Sequence, residues 1–119
     1  VRIGDIGDGA KTLLTLMLLY ELSKPKVLLL DDVESHMNPR ALNVMFDWLY
    51  REIEDGLRLI ASTHNLDVAK RFLSRFEGSK AVLVGLRNGK LNYKILSLDE
   101  IEELELAGLD IRVAEPYLL

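Results

Sequence analysis

Two groups of polar residues follow short apolar runs, and both carry side chains suited to chemistry. Asp31 and Asp32 come directly after "VLLL", and Ser62, Thr63 and His64 come directly after "LRLIA". If the two apolar runs are neighbouring parallel strands, their carboxyl ends meet at one edge of the sheet, where ligands gather in open α/β folds. Carboxylates beside an imidazole suit a hard cation such as Mg²⁺ with phosphate or water chemistry.

A glycine-containing turn is a third candidate part of this site. "DIGDGAK" places Gly7, Asp8 and Gly9 just before the first predicted helix. Glycine allows close approach of the backbone to a ligand, and a helix N-terminus offers free N–H groups and the positive end of its dipole. Both features suit a phosphate group.

Each of these residues also has an ordinary structural interpretation. Acids at strand ends are common turn and capping residues, a lone His64 is often a hydrogen-bonded structural side chain, and glycines often only form turns. His36 has no partner that the sequence identifies, and we interpret it as structural. The order of all the groups together, and no single member, favours a functional interpretation.

The elements that must position these groups alternate between helix and strand. "GAKTLLTLMLLYELS" predicts a helix that is apolar all round and therefore buried on several sides, and "KVLLLD" predicts a strand covered on both faces. Asn38 is predicted to cap a second helix with Pro39 at its first position, and "LRLIAST" and "LDVAKRFLSRF" predict a second strand and a third helix. This alternation is typical of a parallel α/β layer.

The pattern changes towards the end of the chain. "KAVLVGLRNGKLNYKILS" contains Asn88-Gly89 between two strand-like runs, which is a strong hairpin signal, and the second run alternates apolar and polar residues, so one face should be wet. Ser97 and Glu100 form a predicted capping box for a last, acidic helix whose exposed face carries "DEIEELE". The predicted fold class is α/β, with parallel strands, flanking helices and an antiparallel terminal hairpin.

Composition excludes several classes of protein. The chain has 119 residues, a formal charge of −4 and no cysteine, so disulfides, cysteine-based metal sites and a general attraction to nucleic acid are not expected. No apolar run approaches the roughly 20 residues of a membrane span. We expect a cytoplasmic protein with one structural unit over residues 1–119, and since the chain begins with Val1 we expect it to be a piece of a longer one.

The order of motifs resembles the C-terminal half of an ABC-class ATPase domain, and is most similar to stand-alone bacterial and archaeal ATPases related to the SMC and OLD groups. The matching motifs are "IGDGAK" as a signature loop, "VLLLDD" as a Walker B strand, "SHMN" as a D-loop, "ASTH" as a strand ending in Thr-His, and "GLDIR" as the tail. This resemblance implies a partial P-loop NTPase fold that lacks the lobe with the Walker A loop.

The resemblance also implies roles for individual residues. Asp31 would hold the Mg²⁺ of bound ATP, Asp32 would polarise the attacking water, and His64 would be the switch histidine near the γ-phosphate. The nucleotide-binding residues implied at a head-to-tail homodimer seam are Gly7, Asp8, Gly9 and Lys11 of the signature loop and Ser35 and Asn38 of the D-loop.

Three departures from that family pattern shape the expected activity. Gly7 replaces the signature serine, and Asp32 is one methylene shorter than the usual glutamate, which predicts slow hydrolysis. The chain has no G-x-x-x-x-G-K-[ST] motif, so we expect the Walker A loop in an N-terminal lobe outside this sequence. The isolated chain should bind ATP poorly and hydrolyse none.

Three alternatives remain open on sequence grounds. A receiver domain of two-component signalling also carries an acid pair for Mg²⁺, but the later strands here contain no Asp to accept a phosphoryl group. A non-catalytic regulatory or interaction lobe would also suit the missing Walker A loop. Nucleic-acid binding is unsupported, because the basic residues are scattered and aromatic residues are few.

Overall fold

The computed structural model describes residues 7–35 and 37–110. The chain divides into two compact units, Val1–Asn65 and Leu66–Leu119, which we describe separately. The assignment of residues 1–119 to a single ATPase lobe stays a prediction. The first residue of "IGDGAK", the histidine of "SHMN" (His36) and the last two residues of "GLDIR" lie outside the described residues.

The first unit alternates helix and strand, as the sequence predicts. Its elements are α1 (Asp8–Ser23), β1 (Val27–Leu30), α2 (Pro39–Glu54) and β2 (Arg58–Ala61). β1 and β2 pair in parallel, with Val27 opposite Arg58 and Leu30 opposite Ala61. This register places the residues that follow the two strands at the same end of the sheet.

Helix α2 carries most of the buried surface of this unit, and its predicted cap is confirmed. The Asn38 side chain accepts a hydrogen bond from the Ala41 N–H at 2.8 Å, and Pro39 occupies the first helical position. The buried face of α2 includes Met45 and Leu49, which are 1% and 0% exposed. Fixing the start of α2 also fixes the length of the turn that leads to it from β1.

An aromatic contact holds α1 against α2. The rings of Tyr20 and Trp48 meet edge to face with centroids 5.2 Å apart. The Tyr20 hydroxyl donates to the Glu52 carboxylate at 2.9 Å. Burial, followed by this hydrogen bond to a carboxylate, raises the pKa of Tyr20. α1 ends at Ser23, and Lys24 follows in the left-handed conformation with its N–H bonded to the Tyr20 carbonyl.

The predicted burial of α1 and β1 on several sides is wrong for the described residues. Leu19 and Leu22 of α1 are 59% and 85% exposed. Leu29 of β1 and its partner Ile60 of β2 are 69% and 65% exposed on one face of the sheet. The first unit buries one side of these elements against α2 and leaves the other side uncovered, so their continuous apolar runs exceed what this unit itself can bury.

The second unit contains the predicted hairpin. Its elements are α3 (Leu66–Arg75), β3 (Ala81–Arg87), β4 (Lys90–Leu96) and α4 (Leu98–Leu106). β3 and β4 pair antiparallel around Asn88 and Gly89, which both have positive φ (51° and 73°), as a type I′ turn requires. The strict strand–helix alternation of a receiver domain is therefore absent from the described residues.

One face of the hairpin packs against the helices, and it is not the face that the alternation of β4 favours. Leu96 and Ile101 are 1% and 0% exposed and form a core with Leu66. Ala81 and Leu83 of β3 pack against this core, so the hairpin's apolar residues on the opposite face are exposed. They are Val82, Val84, Leu86, Leu91, Tyr93 and Ile95. One face of the hairpin is exposed to solvent, as predicted, but it is the face that carries the apolar side chains.

Candidate functional site

The residues after β1 and β2 form what we call the strand-end edge, defined as residues 31–35 and 62–64. Its central group is Ser62. The Ser62 hydroxyl donates to the Asp31 carboxylate and accepts a hydrogen bond from the Asp32 N–H at 2.9 Å. The Ser62 backbone bonds to Leu30 and Val33 on either side of the acid pair, at 2.8 and 3.2 Å. The two strand ends are therefore joined by backbone and side chain at the position of the carboxylates.

Asp32 has an unusual backbone conformation that its side chain supports. Its φ is 54°, in the left-handed region where Asp and Asn are enriched among non-glycine residues. Its carboxylate accepts a 2.6 Å hydrogen bond from the Ser35 hydroxyl, and its carbonyl accepts the Ser35 N–H at 2.9 Å. The turn thereby fixes one carboxylate oxygen of Asp32 and leaves the other without a described hydrogen bond.

Glu34 ties the turn after β1 to the loop that contains His64. One oxygen of the Glu34 carboxylate accepts from the Thr63 hydroxyl at 2.7 Å, and the other accepts from the His64 N–H at 3.1 Å. The Thr63 hydroxyl in turn accepts from the Asn65 N–H at 3.0 Å. The prediction that the acid pair and His64 share one edge agrees with these contacts.

The signature-loop residues lie at the start of α1 in the same unit. Gly7 is the N-terminal flanking residue of the helix, Asp8 begins it, and both are exposed. Gly9 is the second residue of the helix and is buried, and its role towards a nucleotide stays a prediction. Lys11 is half-buried, and its N–H bonds to the Gly7 carbonyl at 3.1 Å.

No described hydrogen bond joins Gly7, Asp8 or Lys11 to the strand-end edge within residues 7–35 and 37–110. The described hydrogen bonds therefore join Asp31, Asp32, Ser35 and the His64 backbone into one network, and they do not extend to the signature-loop residues. Asn38, the other predicted nucleotide-binding residue, is at the start of α2, where its side-chain oxygen already caps the helix. Its role towards a nucleotide stays a prediction.

The carboxylates of the strand-end edge suit a metal ion that is coordinated mostly by water molecules and substrate phosphates and by only one or two protein ligands. Within the described ranges, no three acidic or histidine residues form a group that could hold a metal ion. Mg²⁺ needs no such cage, since one or two carboxylates together with phosphates and water suffice. Asp31 is exposed, and Ser62 engages only one of its oxygens, so the second oxygen is available to such an ion.

Sequence reasoning assigned no role to two residues of this edge, Ser62 and Glu34. Ser62 was visible only as one polar residue before Thr63 and His64, and Glu34 only as part of a turn. Their importance comes from contacts across 30 or more positions of the chain, 31 for Ser62 to Asp31 and 30 for the Glu34–His64 bond. An acid two positions after the pair, opposite a Ser-Thr-His run in a parallel register, is the signal that could have indicated them.

The chain matches a family model and is similar to individual proteins of known sequence or structure. The family model described as "AAA domain, putative AbiEii toxin, Type IV TA system" matches residues 1–69, more than half of the chain. An uncharacterized protein of Methanocaldococcus jannaschii, MJECL11, is 26% identical over 113 residues, which cover 90% of this chain and 99% of that protein.

A solved structure gives the fold. A chain from work on ATP-driven dimerization and DNA-stimulated activation of SMC ATPases superimposes with a TM-score of 0.67 at 18% identity, over 92% of this chain. The match spans 66% of that solved chain, just under two thirds of its length. The predicted α/β fold and the resemblance to ABC-class ATPases are confirmed. Across the described ranges, no helix has the length and apolar character that crossing a membrane requires.

Proposed function

The chain belongs to the AAA domain family described as "AAA domain, putative AbiEii toxin, Type IV TA system", and from this premise we propose that it is the C-terminal part of an ABC-class ATPase. In this proposal the complete protein binds and hydrolyses ATP with Mg²⁺ at a head-to-tail dimer interface. The observation that carries the proposal is the strand-end edge, where Asp31, Asp32 and the His64 loop are held together by Ser62 and Glu34.

Asp31 is the residue that would hold Mg²⁺. Its position after a parallel strand and its exposed carboxylate support this role, as does the Ser62 hydroxyl, which orients one oxygen and leaves the other for a metal-bound water. When bound, the ion would neutralise charge on the phosphates of ATP.

Asp32 is the residue that would accept a proton from the attacking water. Its carboxylate is oriented by Ser35, which engages one oxygen and leaves the second to point at a water molecule. Aspartate in place of glutamate also has a physical reason in this structure, since φ of 54° is a conformation that Asp adopts more readily than Glu. The shorter side chain reaches less far, so we expect slow turnover. His64 would donate a hydrogen bond from its imidazole to the γ-phosphate.

The second half of the nucleotide site would come from a partner subunit. Gly7 and Asp8 are exposed at the N-terminus of α1, a 16-residue helix. That exposure leaves them accessible to the nucleotide of a second copy. The structurally similar SMC ATPase undergoes ATP-driven dimerization, and we propose the same arrangement here, with Ser35 and Asn38 near the seam.

A preceding lobe with the Walker A loop would complete the protein. The first unit supports this part of the proposal with uncovered apolar side chains. Leu18, Leu19 and Leu22 of α1 and Leu29 and Ile60 of the sheet are all more than half exposed. Burying that surface would recover the hydrophobic stabilisation that this unit lacks, at about 25 cal/mol per Å².

The test uses a longer protein that carries the Walker A lobe. Replacing Asp32 with Asn preserves the shape and the left-handed preference of the residue and removes its basicity, so hydrolysis should fall by roughly 10²–10⁴-fold with ATP still bound. Asp32→Glu should speed turnover, because the carboxylate reaches further, and should lower stability by about 1 kcal/mol because of the positive φ.

Unchanged turnover in Asp32→Asn, or unchanged or slower turnover in Asp32→Glu, would contradict the assigned role. The 119-residue chain gives a second test. Isothermal titration calorimetry with Mg-ATP should show no micromolar binding, since the Walker A loop is outside this sequence; micromolar affinity would contradict the division of the site between two lobes.

A further inference from the structure

The Glu34 side chain joins the turn after β1 to the His64 loop, and the proposed function gives it no role of its own in hydrolysis. It lies two residues after Asp32 in the turn that follows β1. Its two oxygens reach the other strand end, one to the Thr63 hydroxyl and one to the His64 N–H, at 2.7 and 3.1 Å. A single side chain therefore links the backbone of the histidine to the turn that holds the acid.

The two hydrogen bonds that Glu34 accepts come from a side chain and from the backbone, and together they hold the His64 loop in place. A carboxylate acceptor makes shorter and stronger hydrogen bonds than a neutral oxygen. Because the Thr63 hydroxyl donates to Glu34, its lone pair is directed to the Asn65 N–H at 3.0 Å. Thr63, His64 and Asn65 each donate one of these three hydrogen bonds, and Glu34 accepts two of the three.

For Glu34, no ion pair is described within residues 7–35 and 37–110, and the described partners of its carboxylate are the Thr63 hydroxyl and the His64 N–H. Its charge is satisfied by donors of the His64 loop instead. Displacing that loop would leave a half-buried carboxylate without those donors, which is unfavourable. The loop and the turn after β1 are therefore expected to move together.

We propose that Glu34 is a positioning residue that sets the place of His64 relative to Asp32. It would not contact the nucleotide itself. The effect on hydrolysis rests on the proposed ATPase function, whereas the effect on the His64 loop does not, and the experiment separates the two.

The first arm measures amide hydrogen exchange at His64 by NMR in the 119-residue chain without nucleotide. Glu34→Ala should accelerate exchange of the His64 amide by about tenfold, the effect of losing one such hydrogen bond. Glu34→Gln keeps one acceptor oxygen and should give a smaller acceleration. Glu52→Ala is the matched control, since Glu52 also accepts one hydroxyl in this unit but contacts Tyr20.

Exchange at Leu49, which is 0% exposed in α2, reports whether a variant has lost the fold. If Glu34→Ala does not fold, Thr63→Val and Glu34→Gln carry the test, because each removes part of the same link. Unchanged exchange at His64 in the folded Glu34 variants would overturn the proposal.

The second arm measures ATP hydrolysis by the longer protein with the Walker A lobe. Glu34→Ala should lower kcat by about tenfold and leave KM unchanged, as expected when a catalytic group is misplaced and substrate binding is intact. Faster His64 exchange with an unchanged kcat would overturn the positioning role. If the unmodified longer protein hydrolyses no ATP, the proposed function fails, and the exchange arm alone decides whether Glu34 places His64.

Discussion

The strand-end edge of the first unit and the β3–β4 turn of the second unit hold their backbones by different means. At the edge, the turn around Asp32 depends on side chains from another strand end, since Ser62 contacts the acid pair and Glu34 contacts the His64 loop. At the hairpin, Asn88 and Gly89 adopt positive φ and the ladder closes around them, with strand pairing on both sides. Both regions contain left-handed residues, but only the edge adds carboxylates to them.

The difference shows what each region is suited to do. A turn held by strand pairing and by its own residues needs no polar side chain from elsewhere, so its stability reflects local preference and the core beneath it. An edge held by Ser62 and Glu34 places carboxylates and a histidine loop at defined positions, with Asp31 and His64 exposed and Asp32 half-buried. Ordering these side chains costs conformational entropy, and such an arrangement is typical of a site that must position groups for chemistry.

The largest effect should come from the core beneath the hairpin. Ile101 is 0% exposed and packs with Leu66 and Leu96, so Ile101→Ala should lower the free energy of unfolding by about 2–5 kcal/mol. Leu106→Ala in the same helix is the control, because that side chain is 89% exposed and its loss should change stability by less than about 0.5 kcal/mol. Urea denaturation measures both. Equal effects would mean that the hairpin does not depend on this core.

The next effect tests the hairpin turn itself. Gly89 has φ of 73° with open space where a Cβ would be, so Gly89→Ala should cost about 1–2 kcal/mol through backbone strain alone. Gly7→Ala is the matched control, because Gly7 also has open space but a φ of −59° that alanine accepts. Thermal unfolding compares the two variants. A cost at Gly7 equal to that at Gly89 would contradict the argument from φ.

Sequence predicted the hairpin and the helix caps well because their signals are local. Asn88-Gly89, the Ser97 and Glu100 pair, and the Asn38-Pro39 helix start each lie within a few positions. The hairpin turn and the Asn38 cap are present, and Ser97 caps the last helix by accepting the Glu100 N–H, while its hydroxyl donates to the Glu100 carboxylate. The parallel order of β1 and β2 and the meeting of the acid pair with the His64 loop also followed from the pattern of strands.

The remaining features could not be predicted because they depend on distant partners. The uncovered faces of α1 and β1 depend on what else packs there, which local periodicity does not record. The choice of the hairpin's packed face was decided by Leu96 and Ile101, not by the alternation within β4. The contacts of Ser62 and Glu34 required the register of two strands.

A smaller effect should follow from removing the group that joins the acid pair to β2. Ser62→Ala removes the hydroxyl that bonds to the Asp31 carboxylate and the Asp32 N–H, and should lower the free energy of unfolding by about 1 kcal/mol, since the site is exposed. Ser62→Thr keeps the hydroxyl and should restore most of the stability. Urea denaturation checks both variants, and NMR shifts of the Asp31 and Asp32 amides should move only in Ser62→Ala. Undisturbed amides in that variant would mean that strand pairing alone holds the edge.

The smallest effect concerns a polar link in the first unit that lies away from the strand-end edge. Burial and the Glu52 carboxylate raise the pKa of Tyr20, so the folded chain keeps the phenol protonated where the unfolded chain begins to ionise. Because the pKa of Tyr20 is higher in the folded chain than in the unfolded chain, it contributes to the free energy of unfolding. This contribution is fully present below the unfolded-state pKa of about 10 and is lost as the pH rises through the folded-state pKa. The stability difference between the unmodified chain and Tyr20→Phe should therefore be constant near neutral pH and shrink above about pH 10.

Urea denaturation of both proteins across this range measures the difference, and subtraction cancels the titration of the lysines. A difference that grows with alkaline pH would reverse the sign of this argument and show that the Tyr20–Glu52 contact favours the ionised phenol.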